Sequence, residues 1–116
     1  MKRILLVDDE DGIQLLYREE FEMEGFAVDS ALNGEEALEQ FRENPPDLVI
    51  LDINMPGMNG IEVLRQMKEL RPELPVILSS AYQEYKQDFG SWASEEYIVK
   101  SANMDDLKAA VHKYLD

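Results

Sequence analysis

The chain of 116 residues predicts an α/β protein built on a parallel sheet, and three features carry that expectation. Short apolar runs recur along it: Ile4-Leu5-Leu6-Val7, Leu48-Val49-Ile50-Leu51, Val76-Ile77-Leu78 and Tyr97-Ile98-Val99. Segments with apolar residues at three- and four-residue spacing separate them, so strand and helix patterns alternate. Each run also ends in a residue able to handle phosphate or metal: Asp8-Asp9, Asp52, Ser79-Ser80 and Lys100. In a parallel sheet these ends share one edge, where open α/β sheets place their ligands.

The elements follow in order. Residues 4–7 form the first strand, and 11–24 predict a helix with Ile13, Leu16, Tyr17 and Phe21 on its apolar face. Glu20 interrupts that stripe, and Gly25 supplies a stop. Residues 26–31 read as a short second strand, and Asn33-Gly34 as a turn. Ala37, Leu38 and Phe41 give a second short helix, ended by Asn44-Pro45-Pro46. The unbroken apolar run at 48–51 suits a strand buried on both faces. Breakers over 54–60 lead into a third helix carrying Ile61, Leu64, Met67 and Leu70, with Pro72 and Pro75 framing its exit. Strand four is 76–78. Residues 83–93 carry a weaker helical pattern, with Gly90 costing about 1 kcal/mol against alanine.

Strand five is 97–99. The last helix opens at Asn103 as N-cap, with Asp105 and Asp106 in its first turn and Leu107, Ala110, Val111 and Tyr114 facing inward. Five βα units with right-handed crossovers give a doubly wound, five-stranded parallel sheet with five flanking helices. By analogy the strand order is the flavodoxin-like 2-1-3-4-5, and residues 1–116 make a single domain.

Composition narrows the function. A net charge of −14, with 11 scattered Lys and Arg residues, argues against direct nucleic-acid binding and against anionic membrane surfaces. The absence of cysteine excludes disulfide, thiolate and zinc-thiolate chemistry. The first apolar run is too short for a signal-peptide core, and no stretch approaches a membrane span. A soluble, cytoplasmic protein is expected.

Asp8, Asp9 and Asp52 are the sharpest chemical signal. If strands one and three are neighbours, these carboxylates lie within a few ångströms of one another. Two charges about 4 Å apart repel by about 4 kcal/mol at an effective dielectric near 20, so the cluster needs a shared proton or a cation. An all-oxygen pocket suits a hard ion that keeps several waters, which points to Mg²⁺. The only histidine, His112, lies far away on the last helix. Taken singly, each aspartate reads as a helix cap or a strand end. Together with Ser80 and Lys100 on the same edge, they read as a site.

Asp8-Asp9 after strand one, Leu51-Asp52-Ile53-Asn54-Met55-Pro56-Gly57, Ser80-Ala81 after strand four and Tyr97-Ile98-Val99-Lys100 closely resemble the receiver domains of two-component response regulators. The resemblance covers essentially the whole chain. It implies that Asp52 takes a phosphoryl group from the phosphohistidine of a sensor histidine kinase or phosphotransfer protein. It implies that Asp9 and Asp52 bind Mg²⁺ directly, that the Asn54 backbone carbonyl adds a ligand, and that Asp8 acts mainly through water. Lys100 and Ser80 would neutralise the phosphoryl oxygens, a task that phosphoryl transfer asks of its surroundings more than acid–base work. Ser80 and Tyr97 would carry the switch to a surface made by the fourth helix, fifth strand and fifth helix. That surface would meet a downstream protein target, a fused output domain or a second copy of the chain.

Two departures from the family pattern bear on that output surface. Lys100 is followed by Ser101 rather than proline, which predicts a trans bond, and glycine stands at Gly90 where Ala93 holds its usual place. Tyr82, two residues past Ser80, is expected to overhang the phosphoryl group and slow its hydrolysis. Two other functions compete with this one. A pseudo-receiver would serve as an interaction module without taking phosphate, although all five site residues are present. An aspartyl-phosphate phosphohydrolase of the haloacid-dehalogenase type would need an acid two residues after Asp52, where this chain has Asn54.

Overall fold

The computed structural model describes residues 1–52, 60–80, 96–99 and 104–116. The predicted helix at 83–93, the Asn103 cap, the Lys100–Ser101 peptide and Tyr82 lie outside these residues.

Five strands are described: β1 (Arg3–Val7), β2 (Ala27–Ala31), β3 (Leu48–Asp52), β4 (Val76–Ser80) and β5 (Glu96–Val99). All neighbours pair in parallel, in the order β2-β1-β3-β4-β5. The four described helices are α1 (Asp11–Met23), α2 (Gly34–Glu43), α3 (Gly60–Leu70) and α4 (Asp105–Leu115).

Alternation along the strands splits the core into two layers. Leu5, Val7, Val49, Leu51, Val76 and Leu78 face α2 and α3, meeting Leu38, Phe41, Val63, Leu64 and Met67. Ile4, Leu6, Leu48, Ile50 and Ile77 face the other way, onto Tyr17 and Phe21 of α1 and Leu107, Ala110 and Val111 of α4. β3 is buried at every position, as its unbroken apolar run requires.

The helix ends follow from local chemistry. Gly25 takes φ of +95°, letting its N–H bond the Glu22 carbonyl while Phe26 N–H reaches the Phe21 carbonyl. This closes α1 in a Schellman turn, with Phe26 packed edge-on to Phe21 at 6.2 Å between ring centroids. Asn33 is the N-cap of α2 rather than part of a free-standing turn, its side chain accepting from Glu36 N–H at 2.8 Å. Three inward faces differ from expectation. On α1, Gln14 is buried in line with Tyr17 and Phe21, while Leu16 is 41% exposed. On α3, Val63 takes an inward position and Leu70 lies at the surface. On α4, Leu115 is buried and Tyr114 only partly so.

An ionic clasp joins the end of α1 to α4. Lys108 Nζ lies 2.7 Å from Glu20 and 3.5 Å from Glu24. His112 Nε2 lies 2.5 Å from Glu24, and its Nδ1 lies 2.8 Å from Asp116. With a carboxylate on each ring nitrogen, first Glu24 and then Asp116, the imidazolium is favoured and the His112 pKa is raised. A raised folded-state pKa stabilises fully below the unfolded value of about 6.5 and is lost as pH rises through the folded value. The melting temperature is therefore expected to fall as pH climbs from 6.5 through that raised value. His112→Gln should flatten this segment in thermal melts, because it removes the imidazole whose raised pKa produces the slope.

Candidate functional site: an acidic pocket at the carboxyl edge of the sheet

Val7 pairs with Leu51 in register, so the residues that follow them, Asp8 and Asp52, emerge side by side. Both come after residues that face α2 and α3, which turns them toward the α1 and α4 layer. Both are buried, at 2% and 3% exposure, whereas Asp9 is exposed. One carboxylate oxygen from each of Asp8, Asp9 and Asp52 lies within 4.8 Å of the other two. The three acids predicted to converge are therefore brought together.

Asp8 is held on several sides. Its N–H donates to the Ala31 carbonyl at 3.1 Å, and its Oδ1 accepts from Glu10 N–H at 3.0 Å. Its own carbonyl accepts from Gln14 Nε2 at 2.9 Å. On the other side of Asp52, Ser79 is its register partner on β4. Ser79 is 2% exposed, and its hydroxyl has no hydrogen-bond partner among the described residues. Asp52 thus stands between an acidic cluster toward β1 and a buried hydroxyl toward β4.

The donor set fits a hard divalent cation. Opposite oxygens in an octahedron with bonds near 2.1 Å are about 4.2 Å apart, so three oxygens within 4.8 Å of one another are on the scale of one ion's coordination sphere. All donors are oxygen, and two of the three carboxylates are buried, where closely spaced like charges repel more strongly than in water.

The remaining predicted site residues stand as follows. Ser80 ends β4, pairing in register with Val99, and Tyr97 pairs with Leu78. Lys100 follows Val99 directly in the chain. Lys100 and Asn54 lie outside the described residues, as do the side chains of Ser80 and Tyr97. Sequence reasoning missed Gln14, and it named Ser79 at the strand end but gave the site role to Ser80 alone. Gln14 could have been found from its i, i+3, i+7 spacing with Tyr17 and Phe21. Ser79 shares the strand face of Ile77, an alternation visible once β4 is extended to Ser80.

A charged pocket at the carboxyl end of parallel strands is the mark of an α/β domain that handles phosphate or a cation. Comparison with known proteins makes that class specific, since the response regulator receiver domain family matches residues 4–112. The chain belongs to that family.

Among curated relatives, it is 39% identical to sporulation initiation phosphotransferase F of Bacillus subtilis, over 98% of this chain and 94% of the relative. It is 38% identical to the phosphate regulon transcriptional regulatory protein PhoB of Rhizobium meliloti, but spans 52% of that protein. Among solved structures, the response regulator TrrA of Thermotoga maritima in complex with Mg²⁺-BeF is 50% identical with a TM-score of 0.94, covering 99% of this chain and 100% of that one. TrrA in complex with the histidine kinase ThkA matches with 50% identity and a TM-score of 0.92, covering both chains fully. Among the described residues, no helix is long and apolar enough to cross a membrane.

Proposed function

We propose that Asp52 is the phosphoacceptor of this receiver domain and that Asp8, Asp9 and Asp52 hold Mg²⁺ beside it. The observation that carries this reading is the convergence of three carboxylates within 4.8 Å, two of them buried. A carboxylate oxygen of Asp52 attacks the phosphorus of a phosphohistidine on a histidine kinase or phosphotransfer protein. The P–N bond breaks, its electron pair stays on the imidazole, and that nitrogen takes up a proton. Bound Mg²⁺ supplies charge neutralisation for the phosphoryl oxygens. Asp9 and Asp52 would bind the ion directly, the Asn54 backbone carbonyl would add a ligand, and Asp8 would act mainly through water. Lys100 and Ser80 would neutralise the phosphoryl oxygens.

Partner and output follow from the same reading. TrrA, which is similar over its whole length, forms a complex with a histidine kinase, which supports a kinase as donor. Residues 1–116 would form a single domain of flavodoxin-like fold with a fifth helix at 83–93. Ser80 and Tyr97 would couple Asp52 to the surface formed by that helix, β5 and α4, for a downstream protein or a second copy of the chain. Any such switch works by favouring one of two existing conformations. The domain catalyses its own phosphorylation and dephosphorylation without being a metabolic enzyme, and the cytoplasm is its expected compartment.

Acetyl phosphate with Mg²⁺ tests the reading. Intact-mass measurement should show one added phosphoryl group, labile in base and mapping to Asp52, with none when EDTA replaces Mg²⁺. No mass gain would favour an interaction module, and turnover of phosphate esters would favour a phosphohydrolase.

A further inference from the structure

Gln14 is a polar residue on the buried face of α1, 8% exposed, with nothing in the phosphoryl chemistry to account for it. Its side-chain Nε2 donates toward three backbone carbonyls: Ala31 at 2.8 Å, Asp8 at 2.9 Å and Leu6 at 3.2 Å. An amide NH₂ has two protons, so at least one is shared between carbonyls. The other end of the same amide, Oε1, is buried without a partner among the described residues. Only the donor end is satisfied, and leaving a buried acceptor without a partner is destabilising. A leucine or methionine would fill that face without this cost. The three carbonyls belong to the carboxyl ends of β1 and β2, the edge that carries the acidic pocket.

The geometry points to Gln14 as a positioning residue for the cation pocket, fixing the direction of the Asp8 carboxylate through the Asp8 backbone. Gln14 holds the Asp8 carbonyl, Ala31 holds the Asp8 N–H, and Glu10 N–H holds Asp8 Oδ1. Ala31 O accepts from both Asp8 N and Gln14 Nε2, so a single carbonyl ties the helix, β2 and the pocket together. Loss of the Gln14 donor frees the peptide after Asp8. The carboxylate then has to be ordered again each time a cation binds. Partners that orient a metal's ligands typically account for 10–100-fold in metal affinity.

This inference rests on the Mg²⁺ reading above, and the experiment separates the two. Mg²⁺ alone is titrated calorimetrically into the native chain, Gln14→Met and Leu74→Ala, each below its melting transition. Leu74 is buried in the opposite layer of the core, so its truncation lowers stability without touching the pocket. The expected result is Mg²⁺ binding at least tenfold weaker in Gln14→Met and within twofold of native in Leu74→Ala. Native-like binding in Gln14→Met overturns the positioning role while leaving the pocket intact, and so does an equal loss in Leu74→Ala. No Mg²⁺ binding by the native chain overturns both. Should Gln14→Met not fold, the Gln14 side-chain NH₂ resonances of the native chain are followed during the titration. A Mg²⁺-dependent shift with slow solvent exchange supports the role, and an unmoved signal refutes it.

Discussion

Asp52→Asn is expected to lower phosphoryl incorporation from acetyl phosphate by at least about a thousandfold while leaving the fold in place. The amide nitrogen is not nucleophilic, and the remaining oxygen carries no full charge with which to attack phosphorus. Neither Asp8 nor Asp9 is placed to substitute. Both sit on the β1 side of Asp52, whereas Ser79 and the end of β4 lie on the other. The substitution is close to isosteric, so the buried site at 3% exposure keeps its packing. Circular dichroism should match the native chain, and intact-mass spectra should stay at the unmodified mass. Continued incorporation at the native rate, mapped to another residue, would remove Asp52 from the centre of the mechanism.

Much of the sheet was legible because its strands are read twice, once by burial and once by chemistry. The run 48–51 is apolar at every position because β3 has helices on both faces, and such a pattern has few other readings. The acids that follow β1 and end β3 could be placed together because neighbouring parallel strands end at one edge. Side-chain direction on the helices was less legible. Leu16 looked like core because it falls three residues after Ile13, yet the face turned to the sheet is Gln14, Tyr17 and Phe21. A glutamine at that position reads as polar surface unless its three carbonyl acceptors are known, and those come from parts of the chain 6 to 17 residues away. Leu70 misled in the same way, since periodicity continues past the point where α3 still has sheet beneath it. The role of Asn33 was half-read. Its preference for turns and its preference for helix starts have the same origin, a short side chain that accepts from a backbone N–H a few residues on.

Neutralising Asp8 should make the protein more stable without Mg²⁺ and nearly indifferent to Mg²⁺ when it is added. Unit charges separated by 4.8 Å, the outer limit of this cluster, repel by about 3.5 kcal/mol at an effective dielectric near 20. Exposure of Asp9 to solvent screens part of that repulsion, so the net gain expected for Asp8→Asn is about 1–3 kcal/mol. Asparagine retains an oxygen that can accept from Glu10 N–H, so the bond orienting Asp8 need not be lost with the charge. Urea unfolding in EDTA should therefore show a higher midpoint for the variant with the same slope. Adding Mg²⁺ should raise the native midpoint in proportion to the logarithm of concentration once the site saturates, because only the folded chain presents the pocket. The variant should gain little, so the two stability curves converge and then cross. A variant less stable than native in EDTA would mean that the Asp8 charge is already compensated within the folded chain, and the electrostatic case for a cation would fall with it.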